Sequence, residues 1–340
     1  MLDIFNSNAF GIVPLTDAIN KIKFVPGRIG AMGLFQESGI ATTSAAIEEK
    51  DGLLSLISPS ARGAPGTTLT KVRRTLRNVT IPHFEINDAV MAEEVQGVRA
   101  WGSETDVEMV MGKVAERGAI HSQSLEATNE YSRIGAVKGI VTYADSTTLN
   151  LFDLFGVSQV AERDWDLDNA SPAAGALRKA CAAVIRQLAA QLDGIPFSGV
   201  YALCGDAFFD DLIAHTEVRA SYLQQQEASQ LRTGYIDGGA GGSYGSFNFG
   251  GITFENYRGA VGATGFINTD KCHVFPVGVP GLFRTYWAPA DYIETVNTNG
   301  QRLYTKQYEM ANGKGVHLDT QMNALNLCTR PATLLQGRRT

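Results

Sequence analysis

Residues 103–138 read SETDVEMVMGKVAERGAIHSQSLEATNEYSRIGAVK. Ser103 suits a helix N-cap, and Asp106 stands three residues on. Val107, Val110, Val114, Gly118, His121, Leu125 and Thr128 step by three or four. The spacing predicts a helix over 103–138, about 54 Å long at ~1.5 Å per residue. Its apolar stripe is narrow, and Gly112, Gly118 and Gly135 each weaken it by roughly 1 kcal/mol relative to Ala. Such a helix needs support along its whole length, so the rest of the chain must supply a surface for it. His121 lies in the stripe with no other His nearby and reads as a core or rim residue.

On the N-terminal side, residues 1–36 carry Pro14, Pro26, Gly27, Gly30 and Gly33 and sustain no period. They read as an extended arm that needs something to lie on. Residues 40–57 and 68–86 are β-like, and SPSARGAPG at 58–66 is a turn between them. Lys71, Arg73, Thr75 and Arg77 share one face of the second stretch. A two-stranded hairpin is marginal alone in water, so this one is expected to pack on a neighbour.

On the C-terminal side, residues 139–159 read as a hairpin turning at 144–147. SPAAGALRKACAAVIRQLAAQLDG, 171–194, reads as a helix with Ser171 as cap, Pro172 in the first turn and Gly194 closing it. SGVYALCG (198–205) reads as a buried strand and DAFFDDLIAH (206–215) as a short helix. A glycine-rich loop spans 233–246, strands and turns alternate from Phe247 to about Arg330, and the LLQGRRT tail is expected to fray.

Composition bounds the function. The chain has 340 residues, 44% apolar and 19% charged, enough for a sizeable core. No apolar run approaches the ~20 residues of a membrane helix, and no signal-peptide pattern opens the sequence, so cytoplasmic synthesis without a membrane partner is expected. Cys181, Cys204, Cys272 and Cys328 are scattered and read as small core residues. A net charge of −6 argues against a dedicated nucleic-acid binder but is compatible with passive contact.

The charge is segregated. Arg62, Lys71, Arg73, Arg74 and Arg77 fall in a stretch from Gly52 to Phe84 with no acid. Asp153, Glu162, Asp164, Asp166 and Asp168 form an acidic strip with only Arg163 among them. Two solvated faces would account for this. The sharper reading lays the cationic segment of one copy on the acidic surface of another, since complementary patches set register and association rate.

Motifs for chemistry are few. Gly241-Gly242-Ser243-Tyr244-Gly245 spells G-x-S-x-G, and His273 and His317 lie downstream as a triad would need. A nucleophile elbow requires a strand before the serine and a helix after it; here a loop precedes and a strand-like stretch follows. Glycine fills five of the eight positions 238–245, which marks a turning loop. A serine hydrolase using Ser243 is therefore the alternative reading. The loop is no phosphate cradle, as no helix or G-K-[ST] follows. DWDLDN, 164–169, fails as a calcium loop at its sixth and twelfth positions, Asn169 and Gly175. No cluster has zinc spacing, and no cofactor or metal is expected.

The order of parts resembles the tailed-phage major capsid fold, and at residue level the chain resembles the phage major capsid protein E family. The stretches that carry the resemblance are LTDAINKIKFVPGRIGAMGLFQESGIATTSAAIEEKDGLLSLISPSARGAPG (15–66), IPHFEINDAVMAEEVQGVRAWG (81–102), EATNEYSRIGAVKGIV (126–141), PVGVPGLFRTYWAPADYIETVNTNGQRLYTKQ (276–307) and LNLCTRP (325–331). Residues 196–250 match least.

The resemblance implies an α+β fold. Residues 1–36 would be an N-terminal arm and 37–100 an extended β-hairpin loop. Residues 101–170 would be a peripheral domain with the spine helix 103–138, and 171–290 an axial domain. Strands in 291–340 would return to the peripheral domain. It implies no enzyme but a shell subunit forming pentamers and hexamers. These would build an icosahedral procapsid that expands around packaged double-stranded DNA. Scaffold and portal proteins would be partners, with a decoration protein as a further one, and assembly would take place in the host cytoplasm. Gly97, Gly102, Gly139 and Gly194 flank rigid elements and are candidate hinges, with ordinary turns the equal alternative. An encapsulin-like compartment shares the fold and stands as the close alternative.

Overall fold

A computed structural model describes residues 27–50, 74–95, 106–169, 171–223, 245–261 and 264–340. In chain order, α1 (Arg28–Ala31), β1 (Gln36–Gly39) and β2 (Ser44–Lys50) come first. Next are β3 (Arg74–Thr80), β4 (His83–Met91) and α2 (Ala92–Val95). The long helix α3 (Asp106–Lys138) leads to β5 (Ile140–Thr142), β6 (Thr148–Asn150), α4 (Leu151–Phe155) and β7 (Arg163–Asp164). There follow α5 (Ala176–Gln191), β8 (Gly199–Cys204), α6 (Asp206–Ala214) and α7 (Thr216–Leu223). Then come β9 (Ser246–Phe249), β10 (Ile252–Asn256), β11 (Ala260–Val261), β12 (Thr264–Gly265) and β13 (Lys271–Val277). The chain finishes with β14 (Phe283–Trp287), β15 (Tyr304–Glu309), β16 (Gly315–Cys328) and β17 (Leu335–Arg338).

Two sheets organise the α+β fold. The first runs β1-β14-β16-β15, with β4 also paired to β16. β16 is covered on both faces, so nearly all of it is buried and its period of two disappears. The second sheet runs β7-β17-β13-β8-β10-β9, with β8 and β10 parallel and β8 and β13 antiparallel. α3 packs along β16, while α5 and α6 supply Leu177, Cys181, Val184, Leu188, Phe208, Phe209 and Leu212 to the core of the second sheet. The glycine at 135 has a packing reason: a Cβ there would lie 2.7 Å from the Val141 Cα, so β5 can approach α3 only because the position lacks a side chain.

Several expectations need correction. Residues 27–36 are not an extended arm: α1 and the start of β1 fold onto the body, with Ile29 fully buried. The stretch 68–86 is not one strand. β3 pairs antiparallel with β2, Ser44 opposite Thr80 and Lys50 opposite Arg74, and then the path breaks at Ile81-Pro82. Proline has no N–H for a ladder, and beyond it β4 joins the first sheet along β16.

The expected hairpin over 139–159 ends early. β5 and β6 pair, but Asn150 then caps α4 by accepting the Phe152 N–H at 3.0 Å, and Gly156 closes it at φ 65°. α5 begins at Ala176, not Ser171. Its cap is tertiary: Glu217 accepts the Leu177 and Arg178 N–H groups at 3.1 and 3.2 Å. The C-terminal stretch is not frayed, because β17 pairs with β13 and buries Leu335 and Gly337. Sheet membership also departs from the division at 290/291. β14 already lies in the first sheet, and β17 returns to the second.

Candidate inter-subunit surface

The Arg28 guanidinium donates to Glu255 on β10 at 2.7 and 2.8 Å and to the Tyr201 hydroxyl on β8 at 3.2 Å. Tyr201 also donates to Glu255. Glu255 is fully buried, and this arginine is the cation paired with it. The bond to Glu255 raises the Arg28 pKa further above its ordinary value.

Beside it, Glu130 on α3 accepts the Ile29 N–H at 2.7 Å and the Gly30 N–H at 3.1 Å. Burial pushes the Glu130 carboxyl up, and the two N–H groups oppose that shift. Four residues from α1, α3 and the second sheet thus form one clamp: Arg28, Glu130, Tyr201 and Glu255. The sequence carried no signal for it. Arg28 and Glu255 are 227 positions apart, and Glu130 lies outside the apolar stripe.

The same polar logic continues along α3. Arg133 binds Glu37 on β1 at 2.5 Å, and Arg302 binds Glu126. Arg117 binds Asp88 on β4 at 2.7 Å and Glu94 at 3.0 Å. The Asp88 carboxyl is penalised by burial, yet the Ala89 N–H and Arg117 hold it below the usual range. His121 is buried, as its place in the stripe implied, and contacts Thr320 at 3.0 Å and Asp88 at 3.3 Å.

The cationic segment is only partly in view. Arg62, Lys71 and Arg73 lie outside the described residues, and only the backbone of Arg74 is described, in β3. Arg77 is described with its side chain. Its guanidinium donates to the Leu154 and Phe155 carbonyls at 2.5 and 3.0 Å, neutralising the C-terminus of α4 in the same chain. On the opposite face of β3, Leu76 is 69% exposed.

The acidic strip is also partly neutralised at home. Asp164, Asp166 and Asp168 are exposed, while the intervening Trp165 and Leu167 are buried, a period of two continuing past the edge strand β7. Glu162 pairs with Lys271 at 2.5 Å and Asp164 with Arg338 at 3.1 Å. Asp166 accepts from the Asn169 amide at 2.9 Å. Asp153 is exposed on α4 and accepts from Asn150 at 2.7 Å. The structure therefore sets Arg77 against the helix that carries Asp153, through the carbonyls of Leu154 and Phe155.

Of the candidate hinges, Gly97 and Gly102 lie outside the described residues. Gly139 ends α3 at φ 86°, and a Cβ there would meet the Phe152 ring at 2.4 Å. Gly194 follows α5 at φ 83° with open space around it. Both positions require glycine for their backbone geometry.

Ser243 also lies outside the described residues, but the element following its loop is the strand β9, not a helix. Of the two downstream histidines, His273 is fully enclosed, and burial, with Lys138 and Lys271 nearby, pulls its pKa down to about 3. His317 stacks on Tyr308 with centroids 4.9 Å apart. Among the described residues no His/Cys/Asp/Glu group could hold a metal ion, and no helix is long and apolar enough to cross a membrane.

Comparison with known proteins gives this arrangement a context. The family model described as phage major capsid protein E matches residues 11–339. The chain is 27% identical to the major capsid protein of Pseudomonas phage KPP10, covering 97% of each. It is 26% identical to the major capsid protein of Salmonella phage Felix O1, covering 99% of this chain and 98% of that one. Among solved structures, a capsid protein of a prophage of E. coli CFT073, described as putative, superposes with a TM-score of 0.62 at 11% identity, covering 97% of this chain and 99% of that one. The capsid of cyanophage P-SCSP1u gives a TM-score of 0.51 at 14% identity, covering 90% and 86%. The fold is that of these phage shells, the sequence match runs from one end of the chain nearly to the other, and the chain belongs to the phage major capsid protein E family.

Proposed function

We propose that the chain is the major capsid protein of a tailed phage, assembling in many copies into the icosahedral head. The observation that carries this reading is the match to one capsid family over residues 11–339. Assembly through pentamers and hexamers into a procapsid in the host cytoplasm is its finer part. Expansion then accompanies the packaging of double-stranded DNA. Scaffold and portal proteins are the expected partners, with a decoration protein on the outer face. The acidic balance supports this, since a net charge of −6 leaves little sequence-independent affinity to hold incoming phosphates.

The first sheet with α3 serves as the peripheral domain, and the second sheet with α5 and α6 as the axial domain. The β2–β3 hairpin serves as the extended loop. Many modest contacts between copies then add through multivalency, so no single interface need be strong. The role is structural, not catalytic.

Electron microscopy of the purified, overexpressed protein tests the proposal. Closed shells of uniform size are expected, and Ser243→Ala is expected to leave them unchanged. A chain that stays monomeric at high concentration with its family scaffold present overturns the reading. An esterase activity abolished by Ser243→Ala would establish the hydrolase instead.

A further inference from the structure

Three of the four cysteines share the core of the second sheet, and two of them face each other. Cys204 on β8 and Cys272 on β13 are directly opposite in the antiparallel ladder, and both are fully buried. The neighbouring residues Gly205 and Lys271 are joined by a backbone hydrogen bond of 2.9 Å. Cys204 and Cys272 therefore occupy a non-hydrogen-bonded pair, the closer of the two cross-strand spacings, with both side chains on one face. Cα atoms so placed fall at about 4.5 Å, inside the range a disulfide can bridge. The Cys204 thiol donates a long, weak bond to the Ala202 carbonyl of its own strand at 3.8 Å. Gly337 on β17 leaves room beside Cys272, since a Cβ there would come within 2.7 Å of the Cys272 sulfur. Cys328 sits apart, in the core of the first sheet.

We propose that Cys204 and Cys272 are a latent disulfide, reduced while the chain folds and closed by a peroxide once the particle meets an oxidising medium. One sulfur attacks hydrogen peroxide, giving a sulfenic acid and one water. The opposite thiol then displaces the hydroxyl as a second water. Two S–H bonds are lost and one S–S bond forms, and the two electrons reduce the peroxide. Burial holds the Cys204 thiol well above its ordinary pKa, so little thiolate is present and the reaction is slow. The bond would close a loop containing residues 205–271, including the glycine-rich stretch 233–246. Constraint of the unfolded chain grows with the length of the closed loop. The timing rests on the proposed life of the protein in a released particle. The pairing itself is read on the purified chain, so it stands or fails whether or not shells form.

The experiment treats the native, full-length protein with hydrogen peroxide, then denatures it, alkylates free thiols and maps peptides by mass. The expected result is that two of the four thiols escape alkylation, joined in one peptide pair containing Cys204 and Cys272, with a mass loss of about 2 Da. The melting temperature should rise and return to its starting value with dithiothreitol. Cys181→Ala and Cys328→Ala should leave the reaction intact, which keeps the test open should Cys272→Ala fail to fold. Four alkylated thiols after treatment, a pair that includes Cys181, or sulfinic acid on a single cysteine each overturn the proposal.

Discussion

α3 and α5 are both long helices packed on a sheet, yet they are held in opposite ways. α5 buries Leu177, Cys181, Val184 and Leu188 along one apolar stripe. α3 packs its C-terminal half through Leu125, Ile134, Ala136 and Val137, but the contacts that orient it are polar. Asn129 and Ser132 meet the Asn326 amide on β16 at 2.9 and 3.1 Å, and Arg117, Glu126, Glu130 and Arg133 reach five separate elements or loops around the helix. An apolar face tolerates small slides, because one methyl group replaces another. A row of charge-assisted bonds has discrete registers and does not. The lesson is that α3 is held in one register by directional polar contacts, whereas α5 is held by filling a core.

The comparison can be broken first in the apolar unit. Phe254→Ala removes a fully buried ring that stacks against Phe247 and meets Trp165 edge-on. It is expected to cost about 4 kcal/mol in urea unfolding, the largest effect of the set. In the polar unit, Arg28→Ala leaves Glu255 buried without its partner charge. A loss of about 3 kcal/mol is expected, and Arg28→Ala with Glu255→Leu should recover much of it. Equal loss in the double variant would show that packing, not charge, holds the clamp.

The pH dependence sharpens the contrast further. His273 is kept neutral in the fold, its pKa near 3 against an ordinary 6.5. Below about pH 6.5 the unfolded chain takes up a proton that the folded chain refuses. Its contribution is therefore intact above that pH and falls by about 1.4 kcal/mol per pH unit on acidification, down toward pH 3. His273→Gln should flatten the stability–pH curve by that slope relative to the parent, and an unchanged slope would contradict the assignment. The smallest effect is expected at Glu217→Ala, which removes the tertiary cap of α5 and should cost about 1 kcal/mol. Faster amide exchange at Leu177 and Arg178 would report it.

These particulars also show what the sequence made legible. The existence of both helices, the strand SGVYALCG and the β2–β3 pairing followed from period and turn chemistry. Boundaries were lost wherever a distant residue did the local work. Ser171 looked like a cap, but Glu217 does that job from 40 residues away. The contacts of Arg77 with the Leu154 and Phe155 carbonyls were not legible, because no side-chain pattern encodes a carbonyl partner. The arm root looked extended because prolines and glycines hide a single helical turn held by Glu130. The family was readable from ordered stretches of residues, whereas the clamp was not, since each of its members looks like an ordinary charged residue in its own neighbourhood.

The central claim is that residues 27–40 and β4 are satisfied within their own subunit, and that neighbouring copies, as proposed, cover the outer face of the β2–β3 hairpin where Leu76 is exposed. Amide exchange measured on unassembled protein and on shells tests it directly. The Ile29 and Gly30 amides and those of 83–91 should be protected in both states, and 44–50 with 74–80 should slow on assembly. Rapid exchange at Ile29 and Gly30 in the unassembled subunit, slowing only in the shell, would contradict the account.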